Sequence, residues 1–391
     1  MSLTKRFAAS LLRIVAGVPI VSLLACGLLL TVFSVTLRGR SVGLSAALLA
    51  AVGYCSVGFW NRAWFRQRRR CFYGLLLPVC VLLYALPATV APRGGSPEGT
   101  VRDSYLAGHY RSCRYAPWHV VPEMDQVHLG LCAAAVRDPY MGLARARTMW
   151  SCMRPIYELM QRDPEFQHLG SALGMAYREI VRLDFRSGHY YAFVPRTQGA
   201  ERLPCLVFLH GLGGNNKAYF WALSQLAQRR KCVVLAPTFG IGNWDQEGSG
   251  ELVVDVVREA LTTLPLDAQR IYLLGYSNGA MGVTRAVVQA PTLFRGLVYL
   301  SAVTEDQLFS TPEFLADIAK RPVLFLHGGQ DERIPQTLVA GTVALLSQLG
   351  GNVQLKVYEQ EDHFLLLTRQ EEVLGEIAEF MSGEDEEEDR E

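Results

Sequence analysis

The 391-residue sequence predicts an α/β fold with a doubly wound, mostly parallel sheet, preceded by an apolar N-terminal part. Short, continuously apolar runs such as 205–210, 232–237 and 322–328 read as strands buried on both faces. Helix-periodic stretches separate these runs, the alternation that builds a parallel sheet covered on both sides. Charge then divides the chain. Residues 1–97 hold eleven Lys or Arg and no acid, whereas 98–391 hold 27 bases against 37 acids. Two chemically different parts therefore share one sequence.

The first part reads as three transmembrane helices. Residues 14–37, 41–60 and 71–92 are uncharged runs of 24, 20 and 22 residues. Each matches the roughly 20 residues a helix needs to cross a hydrocarbon core of about 30 Å. Five arginines lie between the second and third runs, and Lys5, Arg6 and Arg13 precede the first. The positive-inside bias puts both in the cytoplasm. The expectation is a multi-pass integral membrane protein with an embedded N-terminus and a C-terminal domain on the periplasmic or extracytoplasmic side. An exported domain could pair some of Cys113, Cys132 and Cys152.

Residues 93–184 read as linker and helical cap. The Pro/Gly/Ser-rich stretch 91–100 ends the apolar part, and two Asp-Pro starts, at Asp138 and Asp163, open helical patterns. The domain proper is expected over 185–382. Its strands are 188–195, 205–210, 232–237, 270–276, 296–303, 322–328 and 353–359, with helices after the second, third, fourth and sixth of them, a segment 303–320 placed to shape the pocket, and a last helix near 364–381. The end of the chain, 383–391, has seven acids in its last eight residues and reads as a solvated, disordered tail.

In such sheets chemistry gathers at the carboxyl ends of strands. "GYSNG", residues 275–279, lies between a strand and a helix, the setting of a nucleophile elbow. That turn holds Ser277 clear of the sheet, at a helix N-terminus that favours developing negative charge. A serine nucleophile needs a base and a group to orient it. Asp331 and His363 each follow a later strand. His189, His210 and His327 are rival bases, and Glu361 and Asp362 are rival acids. "HGLGG", residues 210–214, is a glycine-rich turn of the kind that offers amides to an oxyanion. The expected donors are the amides of Asn278 and Leu212, with Gly211 as alternative. The glycine run lacks the Lys-Ser/Thr of a phosphate-binding loop.

"HGLGG", "GYSNGAMG", "HGGQDERIP" and "EDHF", in that order, resemble an α/β-hydrolase. Within the superfamily they are most similar to the polyhydroxybutyrate-depolymerase and feruloyl-esterase-like group, to dienelactone hydrolases and to the catalytic domain of prolyl oligopeptidases. The resemblance implies a Ser277, Asp331, His363 triad and acyl transfer to water, with no metal and no organic cofactor. The expected enzyme is a membrane-anchored serine hydrolase, a carboxylesterase or lipase-like enzyme. Its partner is an ester substrate, lipid or another hydrophobic acyl compound, and no nucleic acid is expected. Trp244, Phe239, Phe309 and Phe314 could line an apolar acyl or aromatic site, though such aromatics are more often simply packed. A peptidase of prolyl-oligopeptidase type and a non-catalytic membrane receptor or scaffold are the competing readings.

Overall fold

The computed structural model describes residues 3–59, 99–106, 121–167, 169, 188–197, 201–213, 216–304, 311–318 and 321–388. The chain divides into two compact units, one of Met1–Arg93 with Tyr115–Ala134 and one of Gly94–Arg114 with Ala135–Glu391.

In the first unit the sequence pattern gives a helical hairpin, α1 (Leu3–Phe33) and α2 (Leu37–Phe59). The two backbones pack tightly, and a Cβ on Gly43 would sit 2.4 Å from the amide nitrogen of Thr31. The turn between them is closed by a distant residue. Asp125, at the start of α3 (Glu123–Arg137), is fully buried. Its carboxylate accepts the amides of Val35 at 2.7 Å and Thr36 at 3.0 Å, and the Thr36 hydroxyl at 2.5 Å. That capping satisfies orphan donors at the start of α2.

The first two expected spans fall on α1 and α2, and the third, 71–92, lies outside the described residues. Among the described residues no helix is long and apolar enough to cross a membrane. The chain turns at 34–36, inside the first expected span, and α2 begins with Arg38 and Arg40 followed by Ser41, Gly43 and Ser45.

Among the described residues the second unit is built on eight strands: β1 (Gly99–Tyr105), β2 (His189–Pro195), β3 (Leu203–Leu209), β4 (Val233–Pro237), β5 (Leu266–Tyr276), β6 (Gly296–Leu300), β7 (Pro322–Gly328) and β8 (Asn352–Tyr358). They form one sheet in the order β1-β2-β4-β3-β5-β6-β7-β8. β1 pairs antiparallel with β2 and β2 antiparallel with β4, while every other pairing is parallel. Its helices are α4 (Gly142–Met160), α5 (Pro164–Gln167), α6 (Asn216–Arg230), α7 (Ser249–Thr263), α8 (Gly279–Gln289), α9 (Pro312–Ile318), α10 (Gln336–Gln348), α11 (Leu365–Thr368) and α12 (Gln370–Glu388).

The seven expected strands are present, with ends that differ by a few residues. β1 was not expected, because its sequence, Gly-Thr-Val-Arg-Asp-Ser-Tyr, carries little apolar signal and its pairing with β2 supplies the order. The central strands are dry: Cys205 to Leu209 and Ile271 to Leu274 have no exposed surface. Burying one Val, Leu or Phe side chain contributes about 1.5–3 kcal/mol. α12 runs on to Glu388, so most of the acidic end is helical, as the strong helix propensity of glutamate allows. Cys132 and Cys152 are free thiols, and Cys113 lies outside the described residues.

Candidate active site

Three strands end at one place. β5 delivers Ser277, the β7–α10 loop carries Asp331 and the β8–α11 loop carries His363. The turn after β5 is strained: Ser277 has φ of 54°, in the left-handed region that costs a non-glycine residue about 1–3 kcal/mol. Its amide donates to the Leu300 carbonyl at 2.9 Å, and its carbonyl accepts the amides of Ala280 at 3.1 Å and Val303 at 3.2 Å. The turn also brings α8 against β3. A Cβ on Gly279 would fall 2.0 Å from the Leu209 carbonyl oxygen, so only glycine lets the helix begin there.

His363 Nε2 lies 3.0 Å from Ser277 Oγ, and His363 Nδ1 lies 2.8 Å from Asp331 Oδ2. The second oxygen of Asp331 is used as well, accepting the amides of Arg333 and Ile334, each at 2.9 Å. Burial pushes the Asp331 carboxyl up, but the His363 hydrogen bond and charge and the Ile334 amide outweigh it, so its pKa is lowered. The carboxylate therefore stays ionised and fixes His363 with Nδ1–H toward it, leaving Nε2 free to accept a proton from Ser277. The Tyr276 hydroxyl donates to the His363 carbonyl at 3.1 Å and steadies the loop.

Gly211 abuts the nucleophile, for a Cβ on it would meet the Ser277 Cβ at 3.2 Å. Among the described residues the amides of Leu212 and Asn278 have no internal acceptor. The neighbouring Gly213 amide is engaged, donating to the Ile241 carbonyl at 2.7 Å. The glycine loop is braced from below. Trp244 Nε1 donates to the His210 carbonyl at 2.7 Å, and the Asn278 side-chain amide donates to the Gly242 carbonyl at 3.3 Å.

The rival bases and acids are occupied elsewhere. His210 is buried, with Nδ1 2.9 Å from the Gly211 carbonyl, and burial pushes its pKa down to about 4, so it is neutral. His327 Nε2 bonds the Ile334 carbonyl at 2.9 Å, and His189 sits between Asp103 and Thr238 at the far edge of the sheet. Glu361 accepts the Thr368 hydroxyl at 2.6 Å, and Asp362 faces Arg145 at 3.1 Å.

Of the two roles open to the aromatic residues, packing is the one observed. Trp244, Phe239 and Phe314 are fully buried core side chains, Trp244 stacked on Phe239 at 5.6 Å, and they offer no open wall to a ligand. The loop carrying the first two folds inward because the indole N–H finds its acceptor beneath the glycine turn. Phe309 lies outside the described residues. A cavity of about 200 Å³ lined by Arg230, Lys231, Cys232 and Arg270 opens at the amino ends of β3 and β4, away from the serine.

What sequence reasoning missed is the contribution of residues 138–145. Arg145 pairs with Glu332 and Asp362, and Arg333 with Asp138. No spacing signals this, since the partners are about 190 residues or more apart along the chain.

Residues 246–382 match the family model described as phospholipase/carboxylesterase. An uncharacterized protein of Mycobacterium tuberculosis is 31% identical over 130 residues, 32% of this chain and 36% of that protein. The chain thus spans about a third of the length of this curated relative. Among solved structures, a thermostable esterase is 24% identical over 44% of this chain and 50% of its own, with a TM-score of 0.38. An S-formylglutathione hydrolase from Staphylococcus aureus is 18% identical over 49% of this chain and 89% of its own, with a TM-score of 0.42.

Proposed function

We propose that this chain, a serine hydrolase of the α/β-hydrolase superfamily, cleaves carboxylic esters through Ser277, His363 and Asp331 and an acyl-enzyme intermediate. The observation that carries the reading is the continuous relay of Ser277 Oγ, His363 and Asp331 at 3.0 and 2.8 Å. The match of residues 246–382 to a phospholipase/carboxylesterase family model supports the ester class.

The reaction follows from the positions of the atoms. His363 Nε2 takes the Ser277 proton as Oγ attacks the acyl carbon, and Asp331 stabilises the imidazolium that forms. The carbonyl oxygen becomes an oxyanion, which the amides of Leu212 and Asn278 would receive, with Gly211 as the alternative donor. Each such donor contributes about 3 kcal/mol to lowering the barrier. His363 then returns the proton to the leaving alcohol. Water enters by the same route in reverse, releasing the acid and restoring Ser277.

An ester and amide panel checks the substrate class. With p-nitrophenyl esters of two to sixteen carbons beside matched anilides, ester turnover that Ser277→Ala removes and anilide turnover at least a hundredfold lower are expected. Anilide cleavage equal to ester cleavage would turn the assignment toward a peptidase.

A membrane location is the second part of the proposal and rests on the sequence. Three uncharged runs of 20 to 24 residues and the basic residues beside them argue for an anchored N-terminus with the hydrolase outside the cytoplasm. An alkaline phosphatase fused after Glu391 is expected to be active in bacterial cells. An inactive fusion that is made in full would contradict export.

A further inference from the structure

The acid and base of the proposed triad stand on two separate loops, and a helix from outside the strand–helix series reaches both. Arg145, in the first turns of α4, places NH1 at 2.8 Å from Glu332 Oε2 and Nε at 3.1 Å from Asp362 Oδ2. Glu332 directly follows Asp331, and Asp362 directly precedes His363. One guanidinium thus bridges the neighbour of the acid to the neighbour of the base. NH1 also donates to the Tyr140 carbonyl at 2.7 Å, which fixes the cation to its own segment.

A second contact runs parallel to the first. Asp138 pairs with the Arg333 guanidinium, and the Tyr140 amide donates to the other Asp138 oxygen at 2.9 Å. Arg333 is the residue whose amide binds Asp331 Oδ1, and its guanidinium lies 5.6 Å from both the Tyr140 and the Phe364 ring centroids. Phe364 directly follows His363. Segment 138–145 therefore grips the chain on both sides of the acid–base pair. The loops have a foot of their own, where Gln330 N bonds the Glu361 carbonyl at 2.8 Å and Gly329 N bonds the Tyr358 carbonyl at 2.9 Å. Those bonds tie the two loops below Asp331, and Asp331 and His327 hold Arg333 and Ile334 from within, so Arg145 adds an outer attachment at Glu332 and Asp362.

We propose that Arg145 is a positioning residue for acyl transfer: it holds the Asp331 and His363 loops at the separation that keeps His363 aimed at Ser277. The assignment rests on the serine-hydrolase reading above. A planar guanidinium can serve two carboxylates at once from fixed directions, whereas an ammonium is a compact point charge. Isolated surface ion pairs contribute little, and Glu332 is 65% exposed, but Arg145 and Asp362 are only 30% and 24% exposed, so the arm to Asp362 is the better shielded of the two. Displacing a reacting group by about 1 Å costs on the order of a hundredfold in rate.

The test uses the full-length protein with p-nitrophenyl butyrate and a fluorophosphonate probe, comparing Arg145→Met, Arg145→Lys and Arg154→Met. Arg154 is on the same helix but, among the described residues, pairs with Glu158 and not with the active-site loops, so its variant controls for loss of a helix charge. Arg145→Met is expected to lower kcat and the labelling rate by about 10- to 100-fold with KM within twofold. Arg145→Lys should recover part of that loss, and Arg154→Met should match wild type. Unchanged kcat in Arg145→Met, or a change confined to KM, overturns the assignment while leaving the hydrolase reading intact. A kcat loss in Arg154→Met equal to that in Arg145→Met also overturns it. Equal labelling of wild type and Ser277→Ala would instead overturn the hydrolase reading, and the assignment with it.

Discussion

Ser277→Ala is expected to abolish fluorophosphonate labelling and to lower kcat for esters by at least about 10⁴-fold, since nucleophile removal elsewhere has cost about 10⁶. The hydroxyl is the only group lost. The substitution keeps the Cβ that the strained turn already accommodates at φ 54°, and it removes one hydrogen bond, to His363 Nε2. Thermal stability should therefore change by no more than about 1 kcal/mol, the size of one hydrogen bond. This combination separates chemistry from folding. Mass spectrometry of the labelled protein places the adduct, and a probe adduct on any other residue, or full labelling of the variant, would remove Ser277 from its role.

Asp331→Asn is expected to lower kcat by about 10⁴-fold while the protein stays folded. The reason lies in the two roles of the carboxylate. Oδ1 accepts two backbone amides, from Arg333 and Ile334, and Oδ2 faces His363 Nδ1. In the variant the amide oxygen must take the Oδ1 position, because an NH₂ group there would face two donors. The NH₂ then points at His363 and donates to Nδ1, which moves the imidazole proton to Nε2. With Nε2–H directed at Ser277 Oγ, the imidazole can no longer accept the serine proton. A kcat within tenfold of wild type, in a variant with an unchanged melting temperature, would rule out Asp331 as the orienting acid.

The outline of the site is legible in the sequence because its parts are local. A glycine–serine–glycine pentapeptide between an apolar run and a helical pattern describes one turn, and β5 and α8 enclose it as the pattern implies. Asp331 and His363 are legible because each lies in the loop that follows a later strand, within the stretches "HGGQDERIP" and "EDHF" that carry the family resemblance. The sheet's two-sided burial was written in uninterrupted apolar runs, now seen as β3 to β7. Other features are products of distance. β1 is ordered by pairing with β2. The α1–α2 turn is closed by Asp125, some 90 residues away. The loop aromatics look like pocket walls in sequence, yet Trp244 turns inward to donate to the His210 carbonyl.

By itself, then, the sequence determined the fold class, the order of the strands after β1 and the three residues on which acyl transfer is proposed, since each is marked by a pattern within a few positions. Tertiary structure alone decided what the adjacent Asp362 does, which is to pair with Arg145 while Asp331 bonds His363. Adjacent side chains on an extended loop diverge, and only the meeting of β7 and β8 brings a carboxylate to the imidazole's far nitrogen. Residues 138–145 acquire their place beside the site in the same way, through charge pairs formed across almost half the chain.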